Sequence, residues 1–355
     1  MKILHLPLST GGNSSGLAKG EKKIGLDSTV LVREREWLDY QFDISLNWEK
    51  KNNFQRVLES FKAFYKYRNK YDVFHFNYGT TLIDYPKYNI SLLDLPFYPE
   101  GKKIIFTYNG CDARQKYKTI NRVEYSACHQ GQCNKGICLN GKRDKLKEKR
   151  IEKVNKYADH IFSLNPDLMW FLPKNKTSFL PYTVARWYKI KPQKYSIEKK
   201  IKIVHAPTSR NVKGSKFIIK ALENLKKKHR NIEIILVENV PNKKAFSLYK
   251  QANLVIDQIL VGWYGAFAVE TMKMGKPVAA FIREDDLKFI EPEMRDQVLK
   301  TLININKFNI EDKLEQYIEN QHLLTEKSKA CLDYVNKWHN PEYVAAITKR
   351  VYENT

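Results

Sequence analysis

Residues 201–214 read IKIVHAPTSRNVKG, and the fold is decided there. Lys202, Ile203, Val204, His205 and Ala206 form a short strand candidate. A polar loop between Pro207 and Gly214 follows, and a helical pattern opens near Ser215. Strand, loop and helix in that order make the first part of a βαβ unit. Downstream the alternation continues, with strands predicted at 232–237, 254–256 and 277–281 and helices at 215–228, 243–251 and 266–274. Such alternation predicts a parallel, doubly wound sheet.

Upstream the same order appears. Strands are predicted at 3–8, 28–32, 72–76, 103–107 and 160–164. A charged helix covers 142–156, and Phe54, Val57, Leu58, Phe61, Phe64 and Tyr65 recur at helical spacing. Pro173, Pro181 and Pro192 punctuate a stretch of weak periodicity, which places a domain boundary. The expected fold class is α/β: two Rossmann-like domains with parallel sheets facing across a cleft, plus a helical C-terminal tail. The expected domains are residues 1–185, carrying a cysteine-containing insert at 111–141, then 186–335, then a helix at 336–355 packing back toward the first domain.

Lys and Arg outnumber Asp and Glu 62 to 39, a formal net charge of +23 over 355 residues. That excess points to an anionic partner (nucleic acid, an anionic membrane surface or phosphorylated small molecules) or to a solvated lysine-rich surface. No recognition-helix, OB or RRM pattern accompanies it, so no nucleic acid is expected. No apolar run approaches the length of about 18 residues that spans a bilayer. Met1 to Leu8 reads as a buried strand rather than a secretory leader. A cytoplasmic protein resting at the inner face of the cell membrane is expected.

In open parallel sheets, ligands sit beyond the carboxyl ends of the strands. Arg210 and Lys213 stand in such a loop with Pro207, Thr208 and Ser209. Cations ahead of a helix suit a pyrophosphate, and they suit an ordinary basic loop equally. Further on, Gly262, Trp263, Tyr264 and Gly265 precede a helix, where glycines let the backbone approach a phosphate. Glu270 follows on that otherwise apolar helix; it suits ribose hydroxyls, or a capping or solvent-facing role. Glu238 and Val240 follow a strand, where backbone groups can frame a nucleobase.

In the first half, Gly11 and Gly12 belong to a loop after the first strand, open to reading as a turn or a ligand loop. His75 and Asn77 end one strand; Asn109 and Asp112 follow another. Cys111, Cys128, Cys133 and Cys138 are a candidate structural zinc set, with free thiols as the other reading. Basic and aromatic residues interleave at Lys62, Phe64, Tyr65, Lys66, Tyr67 and Arg68, either on an anionic membrane or as an amphipathic helix whose aromatics fill the core. The second is preferred for Phe54 to Phe64.

The strings IVHAPTSRNVKG and DQILVGWYGAFAVETMKMGKPV resemble the donor domain of glycosyltransferase family 4, whose fold is called GT-B; the likeness is clearest from Ile201 to Ala280. It implies that Arg210 and Lys213 bind a donor pyrophosphate, that Glu270 holds the ribose of a UDP- or GDP-sugar, and that Gly11, Gly12, Pro207, Thr208, Ser209, Glu238, Val240, Trp263, Tyr264 and Gly265 are further donor contacts. An acidic residue frequent in the family is replaced by Gly262, while Asp257, Gln258, Tyr264 and Gly265 match a subgroup that lacks it. In the acceptor half, the His-Gly-x-Asp pattern becomes Asn109-Gly110-Cys111-Asp112, so an amide that cannot titrate near neutrality replaces the histidine.

What the resemblance implies is a retaining transfer of a sugar to an acceptor hydroxyl on a glycan or lipid-linked chain, as in bacterial cell-surface polysaccharide or glycolipid synthesis. Arg210, Lys213, Asp112 and Asn109 would serve catalysis, His75, Asn77 and Asp112 the acceptor, and no catalytic metal would be needed. The rivals are a nucleic-acid-binding protein and a GT-B-like sugar-nucleotide epimerase.

Overall fold

The computed structural model describes residues 1–35 and 40–355. The chain divides into two compact units: Met1–Gln115 with Lys142–Ala185 and Asn340–Thr355, and Lys116–Gly141 with Arg186–His339.

The first unit is built on seven parallel strands: β1 (Lys2–Leu6), β2 (Asp27–Val32), β3 (Ile44–Ser45), β4 (Val73–Asn77), β5 (Lys103–Tyr108), β6 (His160–Ser163) and β7 (Thr177–Phe179). Their order is β3-β2-β1-β4-β5-β6-β7. Ile3 registers with Ser28 on one side and Val73 on the other, so β1 and β4 flank the point where the chain reverses its winding. Helices α1 (Asn13–Lys23), α2 (Asn53–Tyr67), α4 (Lys142–Tyr157) and α12 (Pro341–Asn354) belong to this unit. The strands read as near-continuous apolar runs because both faces of a parallel sheet are covered; Leu4, Leu6, Phe74, Phe76, Phe106 and Ile161 form the centre of the core.

The second sheet has five parallel strands, β8 (Ile201–His205), β9 (Ile232–Leu236), β10 (Leu254–Ile256), β11 (Val278–Ala280) and β12 (Ile303–Asn304), in the order β12-β11-β10-β8-β9. With them go α3 (Lys116–Arg122), α5 (Arg210–Lys213), α6 (Ser215–Lys228), α7 (Asn242–Lys250), α8 (Ala266–Lys273), α9 (Pro292–Thr301), α10 (Ile310–Glu319) and α11 (Gln321–Trp338). Here the reversal falls between β8 and β10, paired through Ile203–Leu254 and His205–Ile256.

The helical tail is divided. α11 ends at Trp338 within the second unit, Asn340 caps the next helix by accepting from the Glu342 N–H, and α12 packs on α1 in the first. Gly20 is required there, since a Cβ would collide with the Pro341 carbonyl. Beneath this contact the Glu21 carboxylate accepts from Tyr352 Oη at 2.9 Å, Thr348 Oγ1 at 3.1 Å and Ser28 Oγ at 2.6 Å, and meets the His5 ring at 2.7 Å. Burial alone would raise this carboxyl; the His5 ring, the Ser28 hydroxyl and the nearby His75 outweigh it and hold it at about 2.

The cysteine stretch also departs from the expected domain assignment. Cys111 lies in the first unit, but Lys116–Gly141 packs with the second. Ala127 joins the second hydrophobic core and its N–H donates to the Leu260 carbonyl, the Tyr125 ring lies 5.1 Å from Phe281, and Arg122 pairs with Asp286 at 2.6 Å. A second difference concerns α2. Phe64 is buried, while Phe54, Leu58 and Tyr65 face solvent rather than the core.

Candidate nucleotide-diphosphate site

The second sheet's winding reversal brings the loop after β8 beside the loop after β10. From the first come Arg210 and Lys213, on the short helix α5. Gly214, at φ +77°, turns the chain sharply into α6, where a Cβ would strike Ile259 and Leu260. From the second comes Asp257, wholly buried. Its Oδ1 accepts from Lys213 Nζ at 2.5 Å and its Oδ2 from the Gly265 N–H at 2.7 Å. One carboxylate therefore fixes both the lysine and the start of α8. Gln258 braces the same turn, accepting from the Leu260 and Val261 N–H groups and donating to the Trp263 and Phe281 carbonyls.

Arg210 is more than half exposed, and its guanidinium makes a two-pronged pair with Glu238, at 2.7 Å from Nε and 2.5 Å from Nη2. The hydrogen bond and the charge raise the arginine pKa and lower that of Glu238. Solvent screening makes such a pair easy to exchange for another anion. Segments Ala127–Gln130 and Cys133–Gly136 pack against α5, and Asn211 donates to the Gln132 carbonyl.

Glu270 lies in the second turn of α8. No hydrogen bond or ion pair engages its carboxylate among the described residues. The side chain keeps some solvent contact, yet desolvation pushes the carboxyl up to about 8, against the opposing pull of Arg186. Such a group is ready for hydroxyl donors.

The other sequence-predicted residues divide. Pro207 is buried beside the cations, Thr208 is exposed, and Ser209 and Val240 are half-buried. Gly265 sits 3.5 Å, at its would-be Cβ, from Lys213 Nζ. Trp263 and Tyr264, expected to touch the donor, instead send their rings into the core. There they stack at 4.5 Å, and Tyr264 Oη bonds Tyr334 Oη and His339 Nε2, each at 2.8 Å. Asp257 and Arg186 belong to this constellation although sequence reasoning did not select them as site residues; an acidic residue directly after a strand at a winding reversal was the available signal for the first.

In the first unit, Gly11 and Gly12 adopt φ of +64° and +73°; nothing would meet a Cβ on Gly11 within 4 Å, whereas one on Gly12 would meet the Tyr40 ring at 2.9 Å. His75 is a core histidine, not a surface ligand. Its Nδ1 donates to Tyr352 Oη at 2.7 Å, the tautomer consistent with that hydroxyl donating to Glu21, and Thr107 Oγ1 lies 2.6 Å from Nε2. Burial lowers its pKa well below the usual range. Asn77 is buried and donates to the His75 carbonyl. The Asp112 carboxylate is taken up by the N–H groups of Asn109, Gly110 and Ala113, so it shapes its own loop rather than projecting to grip a hydroxyl. Burial raises its pKa despite those bonds. Among the described residues, none gives the buried Asn109 side-chain oxygen a hydrogen bond.

Among the described residues no disulfide joins any of the cysteines. Among the described residues, the groupings with metal-ligand proximity are His5–Glu21–His75 and His229–Glu315–Glu319, and neither contains a cysteine. The zinc set expected from the sequence is not assembled. No helix among the described residues is long and apolar enough to cross a membrane.

No family model and no curated protein matches the chain. Solved structures match over its full length. Sucrose-phosphate synthase from Thermosynechococcus elongatus is 14% identical with a TM-score of 0.59, covering 100% of this chain and 99% of its own. HepE from Anabaena, in complex with UDP and glucose, is 11% identical with a TM-score of 0.61 and 100% of both chains covered. UDP-GlcNAc 2-epimerase from Neisseria meningitidis, bound to UDP-GlcNAc, is 13% identical with a TM-score of 0.54, again over 100% of both. Two parallel α/β sheets with a helical C-terminal tail, matched end to end by these proteins, define the GT-B fold.

Proposed function

We propose that this chain is a glycosyltransferase, of the kind implied by its resemblance to family 4, which moves a sugar from a UDP- or GDP-sugar to an acceptor hydroxyl. One observation carries the reading: at the second sheet's reversal point, Lys213 and the start of α8 are fixed by Asp257, with Arg210 beside them and the unengaged Glu270 carboxylate further along α8. The donor diphosphate would lie on Arg210 and Lys213, with Arg210 exchanging Glu238 for phosphate, and the ribose hydroxyls would donate to Glu270.

During transfer the bond from the anomeric carbon to the β-phosphate oxygen breaks as the acceptor oxygen bonds to that carbon from the same face. The acceptor proton passes to the departing diphosphate, and configuration is retained. The two cations stabilise the charge growing on the leaving group, so no catalytic metal is required. The acceptor, a glycan or lipid-linked hydroxyl of a bacterial cell-surface polysaccharide or glycolipid, is assigned to the first unit, near Gly11, Gly12 and Asn109.

A thermal-shift panel of UDP, GDP, ADP and CMP with their sugars tests the donor. A uridine or guanosine diphosphate should raise Tm in wild type and fail to do so in Arg210→Ala. The epimerase reading, which shares the fold, predicts an isomerised nucleotide-sugar and no sugar on any acceptor; transfer predicts free nucleoside diphosphate.

A further inference from the structure

Helix α2 turns Ser60, Ala63 and Phe64 into the first unit's core, yet Phe54, Leu58 and Tyr65, on the side of the helix next to that face, are 78%, 43% and 62% exposed. With Phe61, half-buried and packed on the core's edge, they occupy positions i, i+4, i+7 and i+11, an apolar stripe along the helix that runs from the core's edge into solvent. A folded protein does not ordinarily give an outward face of a helix to large apolar side chains in register. The stripe continues past the helix end: Arg68 lies over the Tyr65 ring at 5.0 Å and reaches the carbonyl of Phe97, itself 56% exposed.

Cations line this stripe. Lys62 and Lys66 are exposed beside it and Arg68 closes its end. Glu59 is the one carboxylate on the helix, and it is neutralised by Lys51 and Lys62 at 3.6 and 3.3 Å. We infer that the outer face of α2, with Phe97 beside it, docks on an anionic lipid bilayer. The rings and Leu58 enter the headgroup–acyl boundary, and the lysines, on stems long enough to stay in water, meet lipid phosphates. A second copy of the chain is disfavoured by charge, since each copy carries +23 and this face adds to it. The surface belongs to the first unit and does not depend on the donor-site reading.

The test is co-sedimentation of the full chain with phosphatidylcholine vesicles and with vesicles of equal parts phosphatidylcholine and phosphatidylglycerol. Wild type should pellet with the anionic vesicles only, and release as salt rises. Phe54→Ser combined with Leu58→Ser and Tyr65→Ser should weaken binding at least about tenfold. Lys62→Gln and Lys66→Gln should each weaken it roughly fivefold. These side chains are exposed, and an unchanged Tm confirms that each variant is folded. Equal binding to neutral vesicles, wild-type-like binding by the serine variant, or absence of binding would overturn the inference. So would a wild-type dimer that the serine substitutions split, with no vesicle binding in either form. The thermal shift with UDP or GDP is read on the same samples: its absence everywhere, with vesicle binding intact, would sink the donor reading and leave this one standing.

Discussion

Both sheets reverse their winding at an interior point, and both carry polar residues in the loops there, but those residues are used in opposite ways. In the first unit the candidate polar groups are largely consumed internally. His75 is bonded through both ring nitrogens, and Asp112 accepts from the backbone of its own loop. At the second sheet's reversal the anchoring is done by the buried Asp257, leaving Lys213 poised, Arg210 on an exchangeable partner and Glu270 without one. A site that binds a charged ligand needs anchored but uncommitted charge, and only the second arrangement has it. The predictions that follow break or sharpen this contrast.

The largest effect is expected where the anchor itself is cut. Lys213→Met leaves the Asp257 carboxylate buried with only the Gly265 N–H, and stranded buried charges cost about 3–5 kcal/mol. Denaturant unfolding should show that loss, and Lys213→Met combined with Asp257→Leu should recover part of it. Arg210→Ala should leave Tm unchanged but lower transfer by roughly 100-fold to 1,000-fold, the range for losing one donor to developing charge. Transfer near wild type would remove the diphosphate from this loop.

Above about pH 8, where the carboxylate has formed, Glu270→Gln should weaken nucleotide binding by about tenfold, as expected for a lost charge-assisted hydrogen bond. Its pH dependence has a definite sign. The folded carboxyl sits at about 8, above its ordinary 4.5, so the stability it contributes is complete below pH 4.5 and is lost as pH rises through about 8. The glutamine variant should therefore gain in Tm over wild type above about pH 8 and match it near pH 4. Wild-type nucleotide affinity should climb through the same interval as the carboxylate forms, and that of the variant should stay flat. Smallest in activity is His75→Gln: kcat and KM should hold at low temperature, while stability falls by about 1–3 kcal/mol because Tyr352 and Thr107 lose a buried partner. A rise in KM or a fall in kcat without a fall in Tm would return His75 to the acceptor site.

Much of the architecture was legible because strand, loop and helix repeat with clear apolar periods, and because charged residues in a short loop after a strand have few core uses. Arg210 and Lys213 stand out in the sequence for that reason, and Glu270 as the carboxylate of an otherwise apolar helix. Trp263 and Tyr264 misled: they stand between glycines in a loop ahead of a helix, where donor contacts are expected, yet their volume is claimed by the core against α11. The stripe on α2 was read as core-filling because helical spacing reports one face without saying which way it points, and the burial of Ser60 and Ala63 settles the direction. The cysteine stretch could not be assigned from order along the chain, since Lys116–Gly141 leaves one unit's sequence to pack in the other through Tyr125 and Ala127.

The most direct test of the central claim is a crystal structure of the chain with bound UDP or GDP. The account predicts diphosphate oxygens within hydrogen-bond distance of the Arg210 guanidinium and Lys213 ammonium, with ribose hydroxyls on Glu270. A diphosphate seated elsewhere, with Arg210 still paired to Glu238, would contradict it.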